Sequence, residues 1–199
     1  YEWTTGLSGD RARTLDIAVD EAERAVELDP ELPYAQATLG WALLWVGDHA
    51  RALAATERSV RLAPNDADIL IWRAFCLSWC GCAIEATNLL ETAFRLNPHV
   101  PALYYLARGQ NYFVMEAFDS AIDVLRQGTM KFPVFIPSYL YLAASLALSG
   151  QMDEAANVSA SIHRLSPNYS ANASGFLVAW KYPADGDRMK RGLNLAGVV

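Results

Sequence analysis

The chain has 199 residues, 53% of them hydrophobic and 19% charged, with a formal net charge of −6 and a pI of about 5.0. That apolar fraction supplies a sizeable core and excludes a disordered chain. The acidic balance excludes a protein that binds nucleic acid by neutralising phosphates, and no apolar run reaches the roughly 18–20 residues that span a bilayer.

The first ten residues, YEWTTGLSGD, have no basic flank followed by an apolar stretch, so they do not read as a signal peptide. They also lack a starting Met, and the expectation is a piece of a longer polypeptide. Next comes DEAERAVEL (20–28), part of the first unit's helix, in and around which Asp16, Asp20, Glu21, Glu23, Glu27 and Asp29 read as a solvated acidic face. YAQATLGWALLWV (34–46) is apolar almost all round, with Trp41 and Trp45 one helical turn apart. Such a helix must touch something on both sides. RALAATERSVRL (51–62) is amphipathic, and DILIWRAFCLSWC (68–80) is again nearly all apolar.

The alternation is a repeat. Pro30, Pro64, Pro98, Pro133 and Pro167 stand 34, 34, 35 and 34 residues apart, closing AVELDP, SVRLAP, AFRLNP, GTMKFP and IHRLSP. At a fixed offset upstream of each is an alanine: Ala18, Ala52, Ala86, Ala121 and Ala155. Between an apolar helix and that alanine fall turns at Gly47-Asp48, Gly81-Cys82, Glu116-Ala117 and Gly150-Gln151. The prolines stop each second helix. Small residues at Gly40, Ala74, Gly109 and Ala143 let paired helices approach, as do Ala52, Ala86, Ala121 and Ala155 from the second helices.

On these residues the sequence resembles the tetratricopeptide repeat. The second unit carries Leu39-Gly40, Leu43, Ala52 and Pro64; the fourth Tyr105, Gly109, Tyr112, Ala121, Leu125 and Pro133; the fifth Tyr139, Leu142-Ala143, Leu146, Ala155 and Pro167. The third departs most, with Arg73-Ala74 where the pattern has Leu-Gly. The resemblance implies an all-α, right-handed superhelix of antiparallel helix pairs. The array runs over 1–167, its first unit partial, and a helical cap and tail follow over 168–199, with the capping helix at Ala184 to Ala196. A narrower resemblance lies in KYPADGDRMKRGLNLAGVV, where Tyr182, Pro183, Asp185, Gly192, Leu193, Ala196 and Gly197 match the tail after such repeats in bacterial class III nucleotide cyclases and related transcriptional regulators. NPHVPALYYLARGQNYF looks like the same group. That likeness implies a cyclase or regulator domain elsewhere in the polypeptide.

In the family the first helices line an inner groove and the second helices face water. This places Leu39, Leu43 and Val46 toward the stacked core. The groove takes Tyr34, Ala37, Trp41, Leu44 and Trp45, then Ile71, Phe75 and Trp79, then Gln110 and Phe113. Either the indoles are buried within the chain or the groove is an open apolar partner site. Relatives that clamp a terminal carboxylate use Lys and Asn where this chain has Ala37, Trp41, Ile71 and Phe75. An apolar protein or peptide, or another domain of the same polypeptide, is therefore the expected partner. A groove filled by the chain's own termini, or by a second copy in a homodimer, is the alternative.

Nothing points to catalysis or a cofactor. No phosphate-binding glycine loop, HExxH or GxSxG occurs. Cys76, Cys80 and Cys82 are three in seven residues, with His99 beyond. C-x₃-C-x-C is not a zinc spacing, and cysteines inside an apolar helix read as small hydrophobes. Unpaired cysteines fit a reducing compartment, the cytoplasm. His49, His99 and His163 fall at helix ends or turns. Sequons at Asn157, Asn168 and Asn172 matter only in a secreted protein. Lys181, Arg188, Lys190 and Arg191 read as the wet side of the cap.

Overall fold

The computed structural model describes residues 10–167, 169 and 180–198. Among these residues all regular structure is helical. The reason begins at the prolines. A residue before proline is driven out of the helical region into extended backbone, and the residues that close the second helices (Asp29, Ala63, Asn97, Phe132 and Ser166) have φ between −118° and −146°. Each of those helices ends two residues before its proline.

The opposite turns are closed differently. Val46, Gly47 and Asp48 end a helix with the Gly47 N–H on the Leu44 carbonyl and the Asp48 N–H on the Leu43 carbonyl. This is the two-bond helix stop that needs a left-handed residue, and Gly47 supplies it at φ 82°. Gly81 and Gly150 recur at the same place, whereas the third such turn uses Glu116 at φ 58°. Each pair is thus joined by three residues, too few for anything but antiparallel neighbours.

The described residues form two compact units. The first comprises 10–98 with 180–181, the second 99–167 and 169 with 182–198. In the first unit, α1 (Arg11–Leu28) packs on α2 (Pro33–Trp45), which pairs with α3 (His49–Leu62); α4 (Ala67–Trp79) pairs with α5 (Ala83–Leu96) and lies on both α2 and α3. Gly40 permits the α2–α3 approach: a Cβ there would stand 2.4 Å from Thr56 Cγ2 and 3.0 Å from the Ala52 carbonyl oxygen. Ala52 and Ala86 are completely buried. Arg73, the departure from the repeat pattern, is buried too. Its guanidinium donates to the Leu53 carbonyl, Thr56 Oγ1 and Glu85, so α4 is tied to α3 and α5 by hydrogen bonds. Leu39 and Leu43 are buried as expected, but Val46 is 42% exposed. The expectation failed at Val46 because that residue is the cap after α2, already turning away from the helix face.

In the second unit, α6 (Ala102–Val114) pairs with α7 (Phe118–Lys131), and α8 (Ile136–Leu148) with α9 (Met152–Leu165). The capping helix α10 (Pro183–Leu195) lies one residue earlier than expected and packs on α8 through Met189, Gly192 and Leu193. A Cβ on Gly192 would meet Ala144 Cβ at 2.8 Å and its Cα and carbonyl oxygen at 2.9 Å. Backbone cannot yield there, so Gly192→Ala has to push α10 off α8. Overpacking costs about 1–3 kcal/mol, and the better helix propensity of alanine returns up to ~1. The expected net loss, roughly 1–2 kcal/mol, is read as a lower urea midpoint at constant m; an unchanged midpoint would show that α10 is not seated there.

Arg188 corrects another expectation. It does not wet the outside of the cap: its side chain is 16% exposed and bonds both Asp185 and Glu116 at 2.7 Å. Lys190 and Arg191 are exposed. Of the three sequons, Asn157 is exposed within α9, while Asn168 and Asn172 lie outside the described residues. So do the first nine residues and most of the stretch between α9 and Trp180.

Candidate partner-binding site

The 3.6-residue period puts Tyr34, Trp41 and Trp45 on one stripe of α2, and Trp72, Phe75 and Trp79 on one stripe of α4. With α2 against α4, the stripes meet. Trp41 has Trp72 at 5.2 Å, Phe75 and Trp79 at 5.5 Å, and Trp45 at 5.6 Å between ring centroids. Trp45 meets Trp79 at 5.1 Å with ring planes at 66°. Rings so arranged present positive edges to negative faces, worth about 0.5–1.5 kcal/mol per pair beyond area burial. They also fill one another's space, so the cluster is a packed floor and not an empty cage.

The expected groove residues divide by exposure. Ala37, Leu44, Trp45, Ile71, Phe75 and Trp79 are buried. Trp41 is half-buried, and Tyr34 is 46% exposed. The Tyr34 hydroxyl donates to Asp66 Oδ2 at 3.0 Å, and Asp66 in turn caps α4 by accepting from the Asp68 and Ile69 N–H groups. Partial burial, with the Asp66 carboxylate, pushes the phenol up to about 12, so it stays a neutral donor. The accessible edge is therefore Tyr34, Trp41 and Trp72, carried on buried rings.

Two aromatic residues were missed by the sequence reading. Trp72, half-buried, completes the α4 stripe three and seven residues before Phe75 and Trp79; that spacing was available as a signal. Trp180 is the other. It is 7% exposed and stands edge-on to Trp79 at 6.1 Å, at 81° between planes. The next residue, Lys181, donates its backbone N–H to the Trp79 carbonyl at 3.0 Å. Nothing periodic surrounds Trp180 in sequence, so no pattern could have placed it.

Gln110 and Phe113 belong to the second unit. Phe113 is fully buried against Phe118 at 5.7 Å and Tyr141 at 5.5 Å. Gln110 is also fully buried, and neither atom of its amide has a hydrogen-bond partner. A separate open hollow of about 330 Å³ in the first unit is lined by Gln36, Leu39, Leu43, Arg51 and Arg58 among others. Its cations are engaged: Arg51 with Glu23 and Asp48, Arg58 with the Pro30 carbonyl, and Arg61 with Glu57.

Cys76 and Cys80 are buried in and just after α4, and Cys82 is half-buried. Burial pushes the Cys76 thiol up to about 12 and the Cys80 thiol to about 11. Among the described residues no three His, Cys, Asp or Glu side chains gather as metal ligands, and no described helix is long and apolar enough to cross a membrane.

Antiparallel helix pairs of about 34 residues, with small residues at the crossings and proline after each pair, define the tetratricopeptide-repeat fold. Solved structures share it. The type IV pilus biogenesis factor PilW matches with a TM-score of 0.70 at 19% identity, over 94% of this chain and 82% of that one. TTC0263, a thermophilic TPR protein of Thermus thermophilus, matches at 0.70 and 22% identity, over 91% and 90%. YrrB, a TPR protein with an unusual peptide-binding site, matches at 0.56 and 19%, over 90% and 92%. No family model and no curated protein matches the chain.

Proposed function

We propose that the chain is a non-catalytic protein-interaction module whose first unit holds an apolar polypeptide along Tyr34, Trp41 and Trp72. The observation that carries this is Trp41: only half-buried, yet fixed by four rings within 5.6 Å. A preorganised aromatic loses little entropy on binding, which is why Trp and Tyr anchor interfaces. The accessible residues Tyr34, Trp41 and Trp72 carry no positive charge, so they offer an anionic peptide no countercharge. The peptide-binding site of YrrB supports the same use of the fold. As biological setting we propose the regulatory part of a bacterial nucleotide cyclase or transcriptional regulator in the cytoplasm. That setting rests on the likeness of the tail around Gly192-Leu193 and Ala196-Gly197; in the structure Gly192 and Leu193 also pack α10 on α8.

The second reading is a self-contained unit whose groove is occupied from within or by a second copy. Trp180 against Trp79 favours it. Photocrosslinking separates the two. A benzophenone amino acid at Tyr34 is expected to trap a discrete polypeptide, or another part of the same polypeptide. The same group at Ile84, 79% exposed on α5, is expected to trap none. A self-adduct of doubled mass would favour the second copy, and equal trapping at both positions would refute the groove.

A further inference from the structure

The last residue of α4 and the segment at Trp180 meet in a way that no other described segment repeats. Trp180 lies outside any helix, between α9 and α10. It makes two kinds of attachment to the first unit: an indole laid edge-on to Trp79, and one backbone bond, from the Lys181 N–H to the Trp79 carbonyl. That carbonyl is among the last of α4, which have no intrahelical donor. The Lys181 side chain stays exposed. An aromatic anchor followed by one main-chain hydrogen bond is how a short extended peptide is held by a protein surface. Lastly, the Trp180 indole N–H is buried and has no acceptor, although buried indoles ordinarily find one. The segment therefore fills the place by ring packing and main-chain bonding and not through its indole donor.

We propose that Trp180-Lys181 is a tethered stand-in for the partner. The seat beside Trp79 takes a polypeptide segment with an aromatic residue followed by a non-proline residue, and Trp180 must leave before that segment enters. The inference rests on the groove reading above and supplies its ligand class and its regulation. A tethered occupant competes at an effective concentration near millimolar, so wild-type affinity is lowered by the fraction of molecules with the seat open.

The test uses a fluorescein-labelled synthetic peptide of residues 177–185, LVAWKYPAD, and fluorescence anisotropy with the full chain. Trp180→Ala is expected to bind it at least about tenfold more tightly than wild type, and a peptide with alanine for its tryptophan is expected not to bind. Lys181→Pro keeps the indole and removes the N–H, and should give an intermediate affinity. If Trp180→Ala fails to unfold cooperatively in urea, Lys181→Pro decides. Absence of binding by folded variants, equal binding by variants and wild type, or loss of folding in both variants overturns the proposal; the last would make the segment part of the core. The Tyr34 crosslink reports separately. Trapping of a partner that no Trp180 change alters leaves the groove standing without the stand-in. Peptide binding with no trapped partner removes the groove's foreign ligand instead.

Discussion

Trp79→Ala is expected to cost about 3–5 kcal/mol, the range for removing a large aromatic side chain from a packed core. Trp79 is 1% exposed and touches Trp41, Trp45, Phe75 and Trp180. Four ring contacts are lost at once, and the rings around the void are held by their own helices and collapse only partly. Tyr34→Ala should cost far less, since that side chain is nearly half exposed and holds one hydrogen bond. Urea unfolding followed by circular dichroism compares the two. A Trp79→Ala loss under about 1 kcal/mol would mean that the cluster is not packed as described. A consequence for function follows. A partner lost on mutating Trp79 would report stability as much as binding, so the proposed groove is better probed at Tyr34, where stability is little disturbed.

The helices were legible because their signals are local and repeated. Proline acts on the residue before it, glycine supplies the left-handed turn, and Ala52, Ala86, Ala121 and Ala155, all completely buried, mark crossings, whereas Ala18 is exposed; the recurrence removed the ambiguity of any single instance. The capping helix, expected from Ala184 to Ala196, runs from Pro183 to Leu195. Features set by partners distant in sequence were not legible. Arg73 read as a departure from the pattern, yet it is satisfied by Leu53, Thr56 and Glu85 on neighbouring helices. Arg188 read as solvated, and it is held by Asp185 and Glu116. Spacing alone put Trp41 and Trp45 on one stripe of α2, and Phe75 and Trp79 on one stripe of α4, but how much of each stripe reaches solvent depends on α2 meeting α4 and on Trp180, which no spacing announces.

The cysteines yield the other large expected effect. Cys76 is completely buried. Loss of hydration, with Cys80 nearby, raises its thiol from an ordinary value of 9.0 to about 12, against the smaller opposing influence of Arg73 and Thr56. Below about pH 9 the thiol is protonated in both folded and unfolded chains and contributes nothing to the pH dependence of stability. Between about 9 and 12 the unfolded chain releases the proton and the folded one keeps it, so the unfolded state gains and stability falls by roughly 1.4 kcal/mol per pH unit. Cys76→Ala lacks this group. Its deficit against wild type at pH 7, from the lost packing, should therefore shrink by on the order of 1 kcal/mol at pH 10. A deficit equal at both pH values would show that the thiol titrates normally. Thiol labelling gives the kinetic counterpart. Reaction needs both access and the thiolate, and burial works against both at Cys76. At pH 8 Cys76 should therefore be labelled many-fold more slowly than the half-buried Cys82. Burial places Cys76 and Cys80 among the packed side chains of α4 and its C-terminal cap.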